Sequence, residues 1–493
     1  MRILLISPPY ILVPGEPKHL GPPLGLAYIA SVLLKQKVSV KILDCAVEDY
    51  ENEYHLTDGT TIYGLSIDNI INDIVEYSPD VIGLSLMFSL LNDFGHELCK
   101  AIKISSPDTK IVLGGSHATV MADELIKFSY IDFVIRGEGD YAFSELIEYL
   151  LGNRSIDNVR SITWKSNENI HSNPQIFIDN LDLLPLPSRS LLNIEQYIRI
   201  GRMQGFETTA GHRVTTMITS RGCPARCIFC SIQAVWGNKF RPHSPTYVLN
   251  ELEHLKNDYN IDYIVFEDDN LTFDKDRATQ IFQGMIDKKL NIKWTAPNGV
   301  ALWRLDAQML ELMKRSGCMH IALAFESGDQ HTLTKIIKKP LVLSKIKHIP
   351  VICRNLGINT TGFFVIGFPG ETIESIERSL DYAVNSEVDN LLVMVATPYP
   401  GTVLYDICCN QGYINAQDFS FYKLMTRTGQ IETPEFSPSD LDRMIAKTLL
   451  RFSLRHPMKN GLRVIRRLFI DPKNTFLFLK KKASDLFVRS AHS

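Results

Sequence analysis

No stretch of this chain approaches the roughly 18 uninterrupted apolar residues that span a membrane. The opening MRILLISPP has a short apolar run before two prolines, and neither the length nor the cleavage site of a secretory leader. A cytoplasmic protein is expected. Charge of one sign is missing as well: 52 Lys and Arg stand against 55 Asp and Glu, a net charge of −3, so no global field draws it to nucleic acid. Tandem repeats and low-complexity blocks are absent. With 45% apolar and 22% charged residues over 493 positions, disorder, collagen and a small disulfide-stapled scaffold are excluded. The length suits two to four domains of roughly 150 residues each.

Nine cysteines are an odd number for a disulfide framework. Cys45, Cys99, Cys318 and Cys353 are scattered, and Cys408 and Cys409 are adjacent, whereas Cys223, Cys227 and Cys230 fall within eight residues. In a reducing compartment such a cluster points to metal ligation.

Residues 1–150 alternate short apolar runs with helix-length segments. Arg2–Ile6 stops at Ser7-Pro8-Pro9, Val38–Leu43 at Asp44, Lys110–Leu113 at Gly114-Gly115 and Asp132–Ile135 at Arg136-Gly137, Val81–Leu86 follows Ser78-Pro79-Asp80, and Leu26–Lys35 has helical character. Buried strands separated by helices predict a doubly wound, Rossmann-like parallel sheet, with ligands beyond the carboxyl ends of the strands. Ser7-Pro8-Pro9, Ser85, Gly114-Gly115 and Gly137-Glu138-Gly139 all fall there. Residues 151–210 are more polar and read as a linker with a short strand or two. Over 211–420 a second alternation begins, with strands expected at Val214–Thr219, Tyr263–Phe266, Lys293–Ala296, His320–Ala324, Thr361–Ile366 and Leu391–Val395. Six βα units predict a partial barrel whose site lies at the strands' carboxyl ends. Residues 421–493 are expected to be helical.

Cys223-Pro-Ala-Arg-Cys227-Ile-Phe-Cys230 gives C-x3-C-x2-C directly after the first barrel strand. Three thiolates on one loop can hold three irons of a four-iron, four-sulfur cluster and leave the fourth iron open to a small molecule. Structural zinc is the alternative, and it would need a fourth ligand such as His212 or His243.

With Phe229 before the last cysteine, this loop resembles that of the radical S-adenosylmethionine enzymes. The resemblance implies a [4Fe–4S] cluster on Cys223, Cys227 and Cys230 whose open iron chelates S-adenosylmethionine. One-electron reduction, by a donor such as flavodoxin or ferredoxin, then yields a 5′-deoxyadenosyl radical. Further likeness extends over residues 214–402: Phe266-Glu-Asp-Asp-Asn270, Phe325-Glu-Ser-Gly328, Gly362 to Glu371, and Tyr399-Pro-Gly-Thr402. Phe229, Glu267, Asp268, Glu326, Ser327 and Gly367 are the expected S-adenosylmethionine contacts. Carboxylates suit the ribose hydroxyls or ammonium, and glycine admits close backbone approach. The alternative is that Glu267, Asp268 and Asp269 merely cap the next helix.

The amino-terminal region resembles the cobalamin-binding class of these enzymes. Ser85-Leu86-Met87, followed 26 residues later by Gly114-Gly115, is similar to the later part of a cobalamin fingerprint, so Ser85, Met87, Gly114 and Gly115 are the expected contacts. Pro22-Pro-Leu-Gly-Leu26 and Arg136-Gly-Glu-Gly-Asp140 belong to the same class pattern. The fingerprint's D-x-H-x-x-G is missing, and Lys18-His19-Leu20-Gly21 is the nearest approach to it. His19 is therefore expected to be a loop residue, and the lower cobalt face to lack histidine. His117 either faces the nucleotide tail or lies at the surface. The implied activity is methylation of an unactivated carbon: one S-adenosylmethionine methylates Co(I), and a second supplies the radical. Cyclisation or rearrangement with the same cofactors is the alternative, and a catalytically degenerate cobalamin-binding protein a third reading. The substrate is expected to be a small molecule or lipid. In residues 451–493, 11 Lys or Arg face only Asp471 and Asp485. This tail is expected to complete a core with a solvated basic face, peripheral membrane contact being the alternative.

Overall fold

In the computed structural model, which describes residues 1–12, 18–55, 60–201, 211–414 and 429–455, the first apolar runs become parallel strands. These are Arg2–Ser7, Ser39–Asp44, Val81–Ser85, Lys110–Gly114 and Phe133–Ile135, with spatial order second, first, third, fourth, fifth. They are continuous apolar runs because helices cover both faces of the sheet. That strand order reverses direction between Arg2–Ser7 and Val81–Ser85, and such a switch point opens a crevice at the strands' carboxyl ends. The hairpin Ile162–Ser166 and Asn169–Ser172, which falls in the segment expected as a linker, pairs antiparallel onto Phe133–Ile135 and extends this sheet.

A three-stranded antiparallel sheet was not expected from the sequence. Tyr10–Leu12, Thr61–Tyr63 and Glu53–His55 form it beside the crevice. Each strand has three residues, too short for a period-two pattern to register.

The second half is a six-stranded parallel sheet in chain order: Val214–Met217, Tyr263–Phe266, Lys293–Ala296, Cys318–Glu326, Asn359–Ile366 and Asn390–Val395. Its helices begin at sequence-coded caps. Ser244 accepts from Tyr247 N ahead of Pro245, Asp274 from Arg277 N, Asp306 from Met309 N, and Thr372 forms a capping box with Ser375. Helix Pro438–Arg455 packs on Ile373–Asn385, where Arg451 meets Asp381 at 2.7 Å and Arg455 meets Glu387 at 3.1 Å. The basic tail beyond it lies outside the described residues. Among the described residues no helix is long and apolar enough to cross a membrane.

One apolar cluster runs from Ile3, Leu5 and Val40 in the first sheet through Leu192, Ile194 and Tyr197 to Val214, Tyr263 and Val265 in the barrel. The two halves thus share a core, and the carboxyl end of the first sheet meets the barrel where helix Ser116–Val120 packs on helix Ile232–Trp236.

Candidate functional site

The loop after the first barrel strand starts at Gly222, whose φ of +82° and close approach to the Lys239 carbonyl leave no room for a side chain. Cys223, Cys227 and Cys230 are each partly exposed, and Cys230 N donates to Cys227 O at 3.1 Å. The loop is stitched across the barrel mouth: Ile228 N donates to Ile337 O beyond the fourth strand, and Ile228 O accepts from Leu404 N beyond the sixth. Phe229 packs on Phe368 with ring centroids 5.7 Å apart. Burial pushes the Cys227 thiol up to about 11 and Cys230 up to about 12, so ligation there displaces protons. Among the described residues no three His, Cys, Asp or Glu side chains converge as they would on one metal ion. This donor set fits a cluster better than zinc, because each cluster thiolate holds a different iron. The two histidines considered for zinc are engaged elsewhere: His212 lies 3.1 Å from Asp262, and His243 lies 3.3 Å from Asp182 and stacks on Tyr247.

Around the loop stand the ends of the other strands. Glu326 closes the fourth strand at a bulge with φ +64°, a left-handed conformation costly for a non-glycine residue and typical of functional sites. Its carboxylate is buried and pairs with Lys339 Nζ at 2.8 Å. Burial opposes the Lys339 charge, but Glu326 and the neighbouring Cys227 and Cys223 sulfurs hold the ammonium above its usual range. Ser327 is fully buried: it donates to Ser379 Oγ and accepts from Asp329 N, fixing the turn below Glu326. Gly367 has φ +87°, and its N–H, with that of Phe368, donates to Glu371 Oε2.

The three acids after the second strand have different surroundings. Asp268 is buried and accepts from Thr219 N, Thr219 Oγ1 and Ser220 Oγ, tying the second strand end to the first. Glu267 accepts from Asn298 Nδ2 at 2.9 Å. Burial pushes both Glu267 and Asp269 up to about 7, helped in each case by Asp268 and, for Asp269, by Glu267 as well. None of the three caps the following helix, a place taken by Asp274. Asn270 Nδ2 donates to Cys223 Sγ at 3.5 Å.

On the facing domain, Ser85 is half-buried at the switch point and Met87 is 48% exposed. A methyl at Gly115, φ +97°, would lie 2.6 Å from Leu86 O, so glycine lets the two strand ends touch. A methyl at Gly114 would meet nothing nearer than Ile135 O at 4.0 Å, an ordinary contact. His117 is buried, its ring nitrogens 3.0 Å from Ser89 Oγ and from Asn92 Oδ1, and burial lowers it to about 4. Its ring is thus engaged within the amino-terminal domain and not at the surface. His19 sits edge-on to Tyr10, and its carbonyl accepts from Tyr63 OH. Burial, then Asp44 of the parallel sheet and Glu267 of the barrel, raise the Tyr10 phenol.

Family models match this chain twice: the B12 binding domain over residues 12–147 and the Radical SAM superfamily over residues 217–383. The cytidylyl-2-hydroxyethylphosphonate methyltransferase of Streptomyces wedmorensis is 35% identical over 463 residues, 88% of this chain and 86% of that one. The chain belongs to the cobalamin-dependent radical S-adenosylmethionine enzymes. The anaerobic magnesium-protoporphyrin IX monomethyl ester cyclase of Cereibacter sphaeroides is 25% identical to this radical enzyme, across 86% of this chain and 66% of the cyclase. In fold it matches the radical S-adenosylmethionine methyltransferase TsrM of Kitasatospora setae, solved with cobalamin and a [4Fe–4S] cluster bound, with TM-score 0.66 and 15% identity over 83% of this chain and 78% of TsrM. The cofactors of this radical enzyme are cobalamin, S-adenosylmethionine and a [4Fe–4S] cluster.

Sequence reading did not single out Lys339 or Tyr10 for the site. Lys339 lies 13 residues beyond Glu326 with no motif of its own, and Tyr10 is one aromatic in a short strand. No local pattern marks either; their partners are distant in the chain.

Proposed function

We propose that this protein is a C-methyltransferase acting on a small-molecule substrate. Its cofactors supply a methyl donor on cobalt and a hydrogen-abstracting radical from S-adenosylmethionine; the protein binds, aligns and shields them. The observation that carries this reading is the cysteine loop stitched across the barrel mouth, with the helix that follows it, Ile232–Trp236, packed on Ser116–Val120 at the carboxyl end of the first sheet. In this reading Cys223, Cys227 and Cys230 hold the cluster, and Glu326, Gly367 and Phe229 line the S-adenosylmethionine pocket, with Glu267 and Asp269 as its acids. Asp268 and Ser327 act beneath the surface, holding strand ends in register. Ser85, Gly114 and Gly115 would admit cobalamin, with Met87 at the rim, and neither His19 nor His117 is assigned to it.

Reduction of the cluster requires an external one-electron donor. An open cavity of about 760 Å³ beside Pro224, lined by Lys239, Lys275 and Arg304 together with Asp274 and Asp276, offers a flavodoxin or ferredoxin an approach to the loop. The unpaired state of all nine thiols supports a reducing, cytoplasmic setting.

The test is turnover with methyl-labelled S-adenosylmethionine in a small-metabolite extract, followed by mass spectrometry. Methyl transfer gives labelled product together with deoxyadenosine and S-adenosylhomocysteine. Deoxyadenosine and a new product without S-adenosylhomocysteine would support radical cyclisation, the activity named for the Cereibacter relative.

A further inference from the structure

Two short motifs are not used by the cofactor contacts above: Arg136-Gly137-Glu138-Gly139-Asp140, after the fifth strand of the first sheet, and Ser220-Arg221-Gly222, directly before Cys223. They meet in the structure. Asp140 grips the Arg221 guanidinium with both oxygens, at 2.7 and 3.0 Å. Glu138 Oε1 accepts from Arg221 at 3.2 Å and from Arg241 at 2.8 Å. None of these four side chains is more than 5% exposed.

Arg221 and Arg241 are cross-strand partners in the ribbon Ser220–Arg221 and Arg241–Pro242, which closes the base of the cysteine loop. Like charges directly opposite one another repel, and a buried charge without a partner is strongly destabilising. Both carboxylates that neutralise this pair come from the other domain. The ribbon therefore closes in a dry interior only with the turn 137–140 docked on it.

The same turn reaches the far end of the loop. Gly137 has φ +73°, and a methyl there would lie 3.0 Å from Val235 O. Its neighbour Gln175 donates to Ala234 O at 3.0 Å, and Arg241 donates to Trp236 O at 2.7 Å. Arg221 also lies 4.9 Å from the Trp236 ring and 5.4 Å from that of Tyr28. The turn thus grips the near end of the segment that carries the three cysteines directly, through Arg221, and the far end through Arg241, which Glu138 holds and which donates to Trp236 O.

We propose that Glu138 and Asp140 are positioning residues for the iron–sulfur loop, acting through Arg221 and Arg241, so that the cobalamin-binding domain is the scaffold on which this loop is held. The inference rests on the assignment of the cluster to Cys223, Cys227 and Cys230. It gives the buried charges a purpose beyond stability: they set the spacing between the two cofactor sites.

The test uses full-length Glu138→Gln, Asp140→Asn and the double variant, which are near-isosteric and remove only charge. In the metal-free protein, hydrogen exchange of amides 222–236 is compared with that of sheet amides 3–6 and 111–113. In the reconstituted protein, iron release to a ferrous chelator is timed. The double variant should exchange and release iron at least about tenfold faster, because its arginines lose their counter-charges, while the sheet amides keep wild-type protection. Unchanged exchange over 222–236 in the double variant would overturn the proposal. If the double variant does not fold, Asp140→Asn carries the same comparison, since Glu138 still bridges both arginines. Wild-type protein that takes up no iron would overturn the cluster assignment, and the exchange result would still decide on the clamp.

Discussion

Gly114 and Gly115 are adjacent, yet a methyl group should act oppositely at the two positions. At Gly115 the backbone has φ +97° and ψ 178°, a region reserved for glycine, and strain there costs about 1–3 kcal/mol. The added methyl would also sit 2.6 Å from Leu86 O and 3.0 Å from Met87 N, backbone atoms that cannot turn aside. Together these give about 3 kcal/mol of destabilisation, or a melting temperature lower by roughly 6–12 °C for a domain of this size. At Gly114 φ is ordinary and the nearest atom is 4.0 Å away. Alanine there should leave stability unchanged or raise it by about 0.4–1 kcal/mol. The same methyl would occupy space assigned to cobalamin, so affinity should fall by about tenfold or more. The assay is scanning calorimetry of the ligand-free variants, together with absorbance titration of each with hydroxocobalamin. Gly114→Ala binding hydroxocobalamin as tightly as wild type would refute the placement of the ligand between these strand ends. A Gly115→Ala variant as stable as wild type would refute the packing argument.

Glu371 is buried, and desolvation first of all raises it from 4.5 to about 7, so its contribution to stability is full below about pH 4.5 and is lost as pH rises through 7. Between pH 5 and pH 8 wild type should therefore lose about 2–3 kcal/mol more than Glu371→Gln in urea denaturation; parallel pH profiles would contradict this. Arg189 and Glu251 form a pair at 2.6 Å with side chains 1% and 0% exposed. Glu251→Gln strands the guanidinium and should cost about 3–5 kcal/mol in the same assay, a loss below about 1 kcal/mol being the contrary result. For the basic tail, full-length protein should not co-sediment with anionic liposomes at low salt; salt-sensitive binding that disappears on truncation after Pro457 would replace the core-completing reading with membrane docking.

The parts of this fold that could be read in advance are those whose signal is local. Val81–Ser85 and Tyr263–Phe266 are apolar runs that stop at polar residues, and the thiol spacing of residues 223–230 is itself the chemistry. Where the meaning of a residue depends on a distant partner, the sequence was silent. Arg136 to Asp140 looked like a ligand-facing turn because it follows a strand, yet its carboxylates meet arginines 81 to 103 residues away. Asp268 and Glu267 are neighbours of the same charge. Only tertiary packing separates the one, saturated by Thr219 and Ser220, from the one that accepts from Asn298. A short strand or two was expected within residues 151–210, but neither the hairpin at 162–172 nor its pairing with Phe133–Ile135 was legible.

The central claim is that the loop bearing Cys223, Cys227 and Cys230 holds the cluster that cleaves S-adenosylmethionine. The direct measurement is anaerobic reconstitution of wild type and of the triple Cys→Ala variant, with iron counted and deoxyadenosine quantified after chemical reduction with S-adenosylmethionine. Wild type should carry about four irons per chain and release deoxyadenosine, and the triple variant should do neither. A triple variant with full iron content and undiminished deoxyadenosine formation would contradict the account.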